Sequence, residues 1–194
     1  MFLIILAAGK SKRFENTIPK QYTKLGNKTI LEHSLDAFSD FQQIKKTILV
    51  YNKKHKKYLK KLNLKNVIKI TGGNTRQQST FKALSKIKNM NCKKVLIHDS
   101  ARPFPSKELI KKIISNIKKN DAVIPIIRIN DATKQVEKNI VFKNIERDNL
   151  RLSQTPQGFT FKKIYEKHKN NSYESFDDDA ALFTNDDEKV MCVN

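Results

Sequence analysis

Three short clusters in the sequence carry residue types suited to phosphate chemistry. The first, Leu6-Ala7-Ala8-Gly9-Lys10-Ser11-Lys12-Arg13, follows an apolar run and precedes Pro19-Lys20-Gln21. Small residues after a strand let backbone N–H groups approach phosphate oxygens, and Arg13 and Lys20 can set positive charge against a polyphosphate. This is neither the P-loop, with its Gly-Lys-Ser/Thr at fixed spacing, nor the dinucleotide fingerprint with three glycines. Taken alone it reads equally well as a structural turn beside exposed bases. The second cluster, Gly72-Gly73-Asn74-Thr75-Arg76-Gln77-Gln78-Ser79, offers hydroxyl, amide and backbone donors able to read a base or ribose edge, although a glycine pair by itself is most often only a turn. The third is His98-Asp99-Ser100-Ala101-Arg102-Pro103. Asp99 ends a buried-looking strand, where open α/β sheets bind ligands, and could hold Mg²⁺ on phosphate oxygens; the alternative is an aspartate capping the next turn. His98 reads as a packing or supporting side chain.

Loops so far apart in the chain need a scaffold that brings strand ends together. Phe2–Leu6 is a continuous apolar run, the mark of a strand buried on both faces, and it stops at Ala7-Ala8-Gly9. The spacing of Leu31, Leu35 and Phe38 predicts a helix over 30–41, followed by a strand over 46–51, a helix over 53–62 and an extended segment over 66–70. The Gly72-Gly73 turn leads into a helix over 76–87. Next come a strand over 94–98, a helix over 106–119 with Ser106 as its cap and Glu108 in its first turn, and a strand over 122–127. Such alternation predicts an α/β sandwich around a largely parallel sheet.

The pattern changes after Ile129. Segments 133–137 and 140–145 flank Lys138-Asn139 with Val136, Ile140, Phe142 and Ile145 alternating, which predicts an antiparallel hairpin. It has few neighbours to pack on. An arm that embraces a second subunit would bury it, and an ordinary edge hairpin fits the pattern as well. Beyond it, 154–158 reads as a loop, 160–168 and 178–184 as helices and 189–193 as a final strand. No internal repeat or low-complexity linker interrupts the chain.

The 194 residues, 38% of them hydrophobic, fit one compact soluble domain spanning 1–194. No stretch approaches the eighteen or so apolar residues of a membrane span, and Met1–Ala8 is short and lacks a basic leader, so a cytoplasmic protein is expected. The two cysteines, Cys92 and Cys192, stand far apart with no Cys or His at ligand spacing, and read as reduced thiols. A net charge of +20 invites a nucleic-acid reading. Most of the excess is lysine, in pieces such as Lys53-Lys54-His55-Lys56-Lys57 and Lys111-Lys112 that amphipathic helices turn to water. The charge therefore argues for an anionic small substrate more than for a polynucleotide.

Taken in order, Ala7-Ala8-Gly9 with Arg13 and Pro19-Lys20-Gln21, Gly72-Gly73 with Arg76 and Ser79, His98-Asp99-Ser100-Ala101-Arg102-Pro103, and Gln154-Thr155-Pro156-Gln157 followed by Asp178-Asp179-Ala180 resemble the 2-C-methyl-D-erythritol 4-phosphate cytidylyltransferase family over nearly the whole chain. Each motif is weak alone, but their joint order and spacing are specific. The resemblance implies a Rossmann-like nucleotidyltransferase fold with a protruding hairpin arm, about 131–147, through which a homodimer forms. It implies transfer of a cytidylyl group from CTP to the phosphorylated polyol methylerythritol phosphate in the non-mevalonate isoprenoid route, with Mg²⁺ or another divalent cation. By the same resemblance Arg13 and Lys20 are the basic pair that stabilises the transition state, and Ala7, Ala8, Gly9, Gly73, Asn74 and Ser79 contact the nucleotide. Asp99 lies by metal and substrate with Arg102 beside it, and Arg147 holds the incoming phosphate across the dimer interface. A surface salt bridge is the plainer reading of Arg147.

The sequence departs from the family in four places. Ser11 stands where a second loop glycine is common. Asn74 replaces a frequent acid, keeping hydrogen bonding and losing charge. Asp131-Ala132-Thr133-Lys134 shifts a hydroxyl by one residue, which puts the substrate contact of Thr133 in question. Asn194 falls before the family's Asn-x-Lys segment, which carries a further lysine, an acid for the metal and a closing helix. This leaves a truncated chain, the amino-terminal part of a cytidylyltransferase/cyclase fusion, or an impaired version. The rival acceptor is ribitol 5-phosphate, whose cytidylyltransferase shares the nucleotide motifs. A non-enzymatic, basic nucleic-acid-binding protein on the same scaffold is the reading from a different class.

Overall fold

In a computed structural model, residues 1–9, 18–171, 176–184 and 188–194 are described. The strands are β1 (Phe2–Ala7), β2 (Lys24–Leu25), β3 (Lys28–Thr29), β4 (Lys46–Tyr51), β5 (Val67–Thr71), β6 (Lys94–Asp99), β7 (Ala122–Arg128), β8 (Thr133–Glu137), β9 (Ile140–Ile145), β10 (Arg151–Ser153), β11 (Gln157–Thr160) and β12 (Met191–Val193). The α-helices are α1 (Ile30–Asp36), α2 (Lys56–Leu59), α3 (Arg76–Ile87), α4 (Lys107–Asn116), α5 (Phe161–Asn170) and α6 (Ala181–Thr184).

The central sheet runs β10-β7-β11-β6-β1-β4-β5, with β12 also on β7. β1 pairs in parallel with β4 and β6, and β4 with β5. The alternating side chains of β1 explain its unbroken apolar run. Phe2, Ile4 and Leu6 enter one core with Ala83, Leu84 and Ile87 of α3 and Ile164 of α5, while Leu3, Ile5 and Ala7 enter the other with Leu31 of α1 and Ile110 and Ile113 of α4. Helices cover both faces, so the layered α/β architecture and mostly parallel sheet expected from the alternation are present.

Side chains inside the predicted segments set several boundaries. Ser106 caps α4 by accepting from the Leu109 N–H at 3.1 Å, and Thr75 caps α3 by accepting from Gln78 at the same distance. Thr29 and Glu32 form a reciprocal capping box at the start of α1. The helix expected over 30–41 ends at Asp36, because the N–H groups of Phe38 and Ser39 bond three residues back and tighten the chain as Phe38 and Phe41 turn into the core. The one expected over 53–62 is reduced to a 3₁₀ turn over Lys53–His55 and the single-turn α2, where Lys53, Lys54, Lys56 and Lys57 crowd like charges with no acid in the first turn.

The loop expected over 154–158 is corrected at its end: Gln157 and Gly158 open β11, which enters antiparallel between β6 and β7. Gly158 permits this, since a Cβ there would lie 2.9 Å from Ile113. The helix expected over 178–184 starts at Ala181, with Asp178 Oδ1 accepting from the Ala181 N–H at 3.0 Å. β8 and β9 form a separate two-stranded hairpin whose turn residues, Lys138 and Asn139, have φ of 45° and 68°, as a primed hairpin turn requires. Its apolar side chains find little cover: Ile140 is 71% and Phe142 67% exposed. With Phe104 also exposed, the aromatic residues are not all absorbed by the core.

Candidate active site

The first two sequence clusters meet at the carboxyl ends of β1 and β5, the strands on either side of β4. After β1, the Ala7 and Gly9 carbonyls accept from Gln21 Nε2 at 2.8 and 3.2 Å, and the Ala8 carbonyl accepts from Asn52 Nδ2 at 3.3 Å. After β5, Gly72 presses against this loop so closely that a Cβ would lie 2.4 Å from Ala8 Cβ and 2.8 Å from Ser79 Oγ. Gly73 donates its N–H to Ser79 Oγ at 3.0 Å, and that hydroxyl donates to the Thr75 carbonyl at 2.9 Å. Ser79 is thus buried and shapes the glycine turn from beneath. Asn74 is exposed, its N–H held by Gln78 Oε1 at 2.9 Å. Lys20 is exposed at the start of a 3₁₀ turn, next to the Gln21 that fastens the β1 loop. Arg13 lies outside the described residues, as do Lys10, Ser11 and Lys12.

The third cluster is bonded to the second. Asp99, at the end of β6, faces Arg76 Nε at 3.4 Å through Oδ1 and Arg102 Nε at 3.6 Å through Oδ2. Arg76 opens α3 and carries its Nη1 to Asp179 Oδ2 at 2.7 Å. Arg102 also donates to Gln154 Oε1, which joins the Gln154-Thr155-Pro156-Gln157 segment to the site. Asp178, beside the buried Asp179, accepts from Ser153 Oγ at 2.5 Å and from Gln157 Nε2 at 2.8 Å.

His98 is buried behind Asp99. Its Nε2 lies 2.9 Å from the Arg102 carbonyl oxygen, which can only accept, so Nε2 carries the proton. Nδ1 then accepts from the Thr155 hydroxyl at 2.9 Å, and that hydroxyl accepts from the Asp99 N–H at 3.3 Å. Burial pushes the His98 pKa down from 6.5 to about 4. As the pH falls below 6.5 the unfolded chain takes up this proton first, so the stability tied to neutral His98 is present above pH 6.5 and lost between pH 6.5 and about 4. At 1.36 kcal/mol per pKa unit the loss is about 3 kcal/mol. Urea midpoints from pH 7 to pH 4.5 should fall more steeply for the native chain than for His98→Gln, and parallel slopes would contradict the assignment.

Thr133 and Arg147 stand apart from this cluster, at the base of the hairpin. Thr133 Oγ1 donates to the Asp131 carbonyl at 3.4 Å, and Arg147 donates to the Asn130 carbonyl. Arg147 shares an open cleft of about 380 Å³ with Arg128, Ile129, Asn130, Asp148 and Arg151. Arg128 and Arg151 are direct cross-strand partners, a like-charge juxtaposition that an anion in the cleft would relieve. Neither was singled out from sequence. Arg76, Gln154, Thr155, His168 and Asp179 carried no individual role there either, and their spacing alone gave no signal, since Arg76 and Asp179 are 103 residues apart.

A family model described as 2-C-methyl-D-erythritol 4-phosphate cytidylyltransferase matches residues 1–194. The chain belongs to that family. It is 47% identical over 190 residues to the bifunctional enzyme IspD/IspF of Pelagibacter ubique, covering 98% of this chain and 51% of the relative. To the 2-C-methyl-D-erythritol 4-phosphate cytidylyltransferase of Thermosipho melanesiensis it is 36% identical, covering 92% of this chain and 82% of the relative. The crystal structure of the Francisella tularensis 2-C-methyl-D-erythritol 4-phosphate cytidylyltransferase superposes with a TM-score of 0.83 at 32% identity, over 99% of this chain and 88% of that one. The chain spans about half the length of the bifunctional relatives it matches. The family resemblance carried by the motifs is thereby borne out, together with the nucleotidyltransferase fold.

Among the described residues no helix is long and apolar enough to cross a membrane, and no group of three or more His, Cys, Asp or Glu stands at metal-binding distance. Cys92 is buried and Cys192 exposed, and neither is in a disulfide.

Proposed function

We propose that this chain, acting as a single domain, transfers the cytidylyl group of CTP to 2-C-methyl-D-erythritol 4-phosphate, giving 4-diphosphocytidyl-2-C-methyl-D-erythritol and pyrophosphate in the non-mevalonate isoprenoid pathway of the cytoplasm. The observation that carries it is the assembly of the β1 loop, the Gly72-Gly73 turn and Asp99 into one surface at the carboxyl ends of β1, β5 and β6, in a chain whose residues 1–194 match the family.

An acceptor phosphate oxygen attacks the α-phosphorus of CTP. A P–O bond forms as the bond from the α-phosphorus to the β-phosphate oxygen breaks, and pyrophosphate leaves with that electron pair. No enzyme-bound intermediate is needed, so the protein's work is to orient the reactants and meet the developing charge. Ala7, Ala8, Gly9, Gly73 and Asn74 frame the nucleotide, with Ser79 holding the glycine turn. Lys20 faces the triphosphate, and Arg13, outside the described residues, keeps the charge-stabilising role that the family motif gives it. Asp99 and Arg102 border the acceptor.

Asp99 is also the residue that would hold Mg²⁺. Its pairs with Arg76 and Arg102, at 3.4 and 3.6 Å, are loose and its side chain is 31% exposed, which leaves oxygen lone pairs available. A lone carboxylate suits a cation that takes most of its ligands from phosphates and water. When bound, the cation neutralises phosphate charge.

Thr133 and Arg147 serve the acceptor bound by a second copy of the chain, brought over by the arm at 131–147. The exposed apolar side chains of that arm support a homodimer. Arg147→Ala should raise the acceptor KM about 10- to 100-fold, the loss of one charge-assisted phosphate contact, with the CTP KM within about threefold. An unchanged acceptor KM would remove Arg147 from the phosphate site.

The proposed reaction is tested by pyrophosphate release. CTP with Mg²⁺ and methylerythritol phosphate should release it, and CTP with Mg²⁺ alone should not. Release without acceptor, or none with it, would reject the assignment.

A further inference from the structure

Behind Asp99 the chain buries a row of charged and polar groups that the proposed reaction does not use directly. Asp179 and His168 are each 1% exposed, and His168 Nε2 lies 2.9 Å from Asp179 Oδ1. A carboxylate oxygen only accepts, so the imidazole N–H donates. The other oxygen of Asp179 takes Arg76 Nη1 at 2.7 Å, and Arg76 Nε reaches Asp99. Burial alone would raise the Asp179 pKa, but Arg76 and His168 more than offset this and hold it at about 2, so the carboxylate stays charged. The ring of His168 is stacked on Phe81, with the two planes 9° apart.

A row built only for stability would be a poor design. Buried ion pairs lose in desolvation much of what they gain in attraction, and apolar groups of the same shape do as well or better. Here two positions are also left unfilled, since Arg76 Nη2 and His168 Nδ1 are buried without a hydrogen-bond partner among the described residues. What the row does achieve is orientation. Asp179 is fixed from α5 by His168, and it fixes the guanidinium plane of Arg76, leaving Nε against Asp99.

We propose that His168 and Asp179 are positioning residues which, through Arg76, hold Asp99 in the orientation the nucleotide and its cation require. This rests on the nucleotide reading of the site. The brace joins α5 and the segment before α6 to the end of β6, so it ties a distant part of the fold to the reacting region.

The test compares His168→Leu with His168→Gln. Leucine fills much of the same volume without a donor, whereas glutamine can return an N–H to Asp179. The first readout needs no acceptor: the part of the CTP-induced rise in Tm that depends on Mg²⁺. It should shrink by at least half in His168→Leu and be largely restored in His168→Gln. The second readout is turnover, with kcat expected to fall 10- to 100-fold in His168→Leu, the CTP KM within about threefold, and the Mg²⁺ concentration for half-maximal rate raised.

Arg76→Lys, at a partly exposed position, gives the same readouts if His168→Leu fails to fold. Charge is kept there but the fork that links Asp179 to Asp99 is lost, so the same losses are expected. Folded variants with native Mg²⁺-dependent shift and native kcat would overturn the proposal. So would a native chain whose Tm does not respond to CTP and Mg²⁺. A native chain that responds to CTP but turns over no acceptor would reject the acceptor assignment, while the thermal shifts still decide the brace.

Discussion

Lys20→Ala is expected to lower kcat by about 10²- to 10³-fold, the loss typical of removing one group aimed at charge that develops in a transition state. The side chain is exposed, and its neighbour Gln21 fastens the β1 loop by reaching the Ala7 and Gly9 carbonyls. Substitution at an exposed position typically changes stability by about 0.5 kcal/mol or less. Steady-state rates and thermal melts on the same preparation therefore separate the two effects. Native turnover would take Lys20 out of the chemistry, and a collapsed melt would mean that the loss was one of folding.

The largest structural effect is expected from Gly72→Ala. Its Cβ would overlap Ala8 Cβ at 2.4 Å and Ser79 Oγ at 2.8 Å, so the β1 loop and the start of α3 must move apart. Overpacking of this kind costs about 1–3 kcal/mol, and here the displaced atoms are those proposed to frame the nucleotide. Tm should drop by several degrees and CTP affinity by more than tenfold, both read in a ligand-dependent melt. Gly9→Ala is the control: a Cβ there meets nothing within 4 Å among the described residues, and its melting temperature should stay near native. Equal behaviour of the two variants would contradict the close approach of the loops.

These predictions show which parts of the molecule local sequence could reveal. β1 was legible because both its faces are buried, which leaves an unbroken apolar run, and the hairpin because alternation on either side of Lys138-Asn139 admits little else. The cap at Ser106 acts within a few residues and was equally visible, whereas the one at Thr75 was not singled out beside the glycine turn. β11 was read partly as loop because Gln157 and Gly158 are poor strand formers; they extend because Gly158 fits under Ile113 and the Gln157 amide reaches Asp178. The site divides in the same way. Its loops were found as motifs, but the links from Arg76 to Asp179, Arg102 to Gln154 and Asp99 to Thr155 cross 50 residues or more and exist only once the sheet is assembled. The like-charged pair Arg128 and Arg151 likewise appears only through strand register.

The central claim is the identity of the transfer, and a competition tests it most directly. CTP and Mg²⁺ are supplied with equal amounts of 2-C-methyl-D-erythritol 4-phosphate and ribitol 5-phosphate, and the nucleotide-linked products are identified by mass. The account predicts 4-diphosphocytidyl-2-C-methyl-D-erythritol as the dominant product, with one pyrophosphate released for each. Predominant CDP-ribitol, or no CDP-linked alcohol at all while CTP still raises Tm, would contradict it.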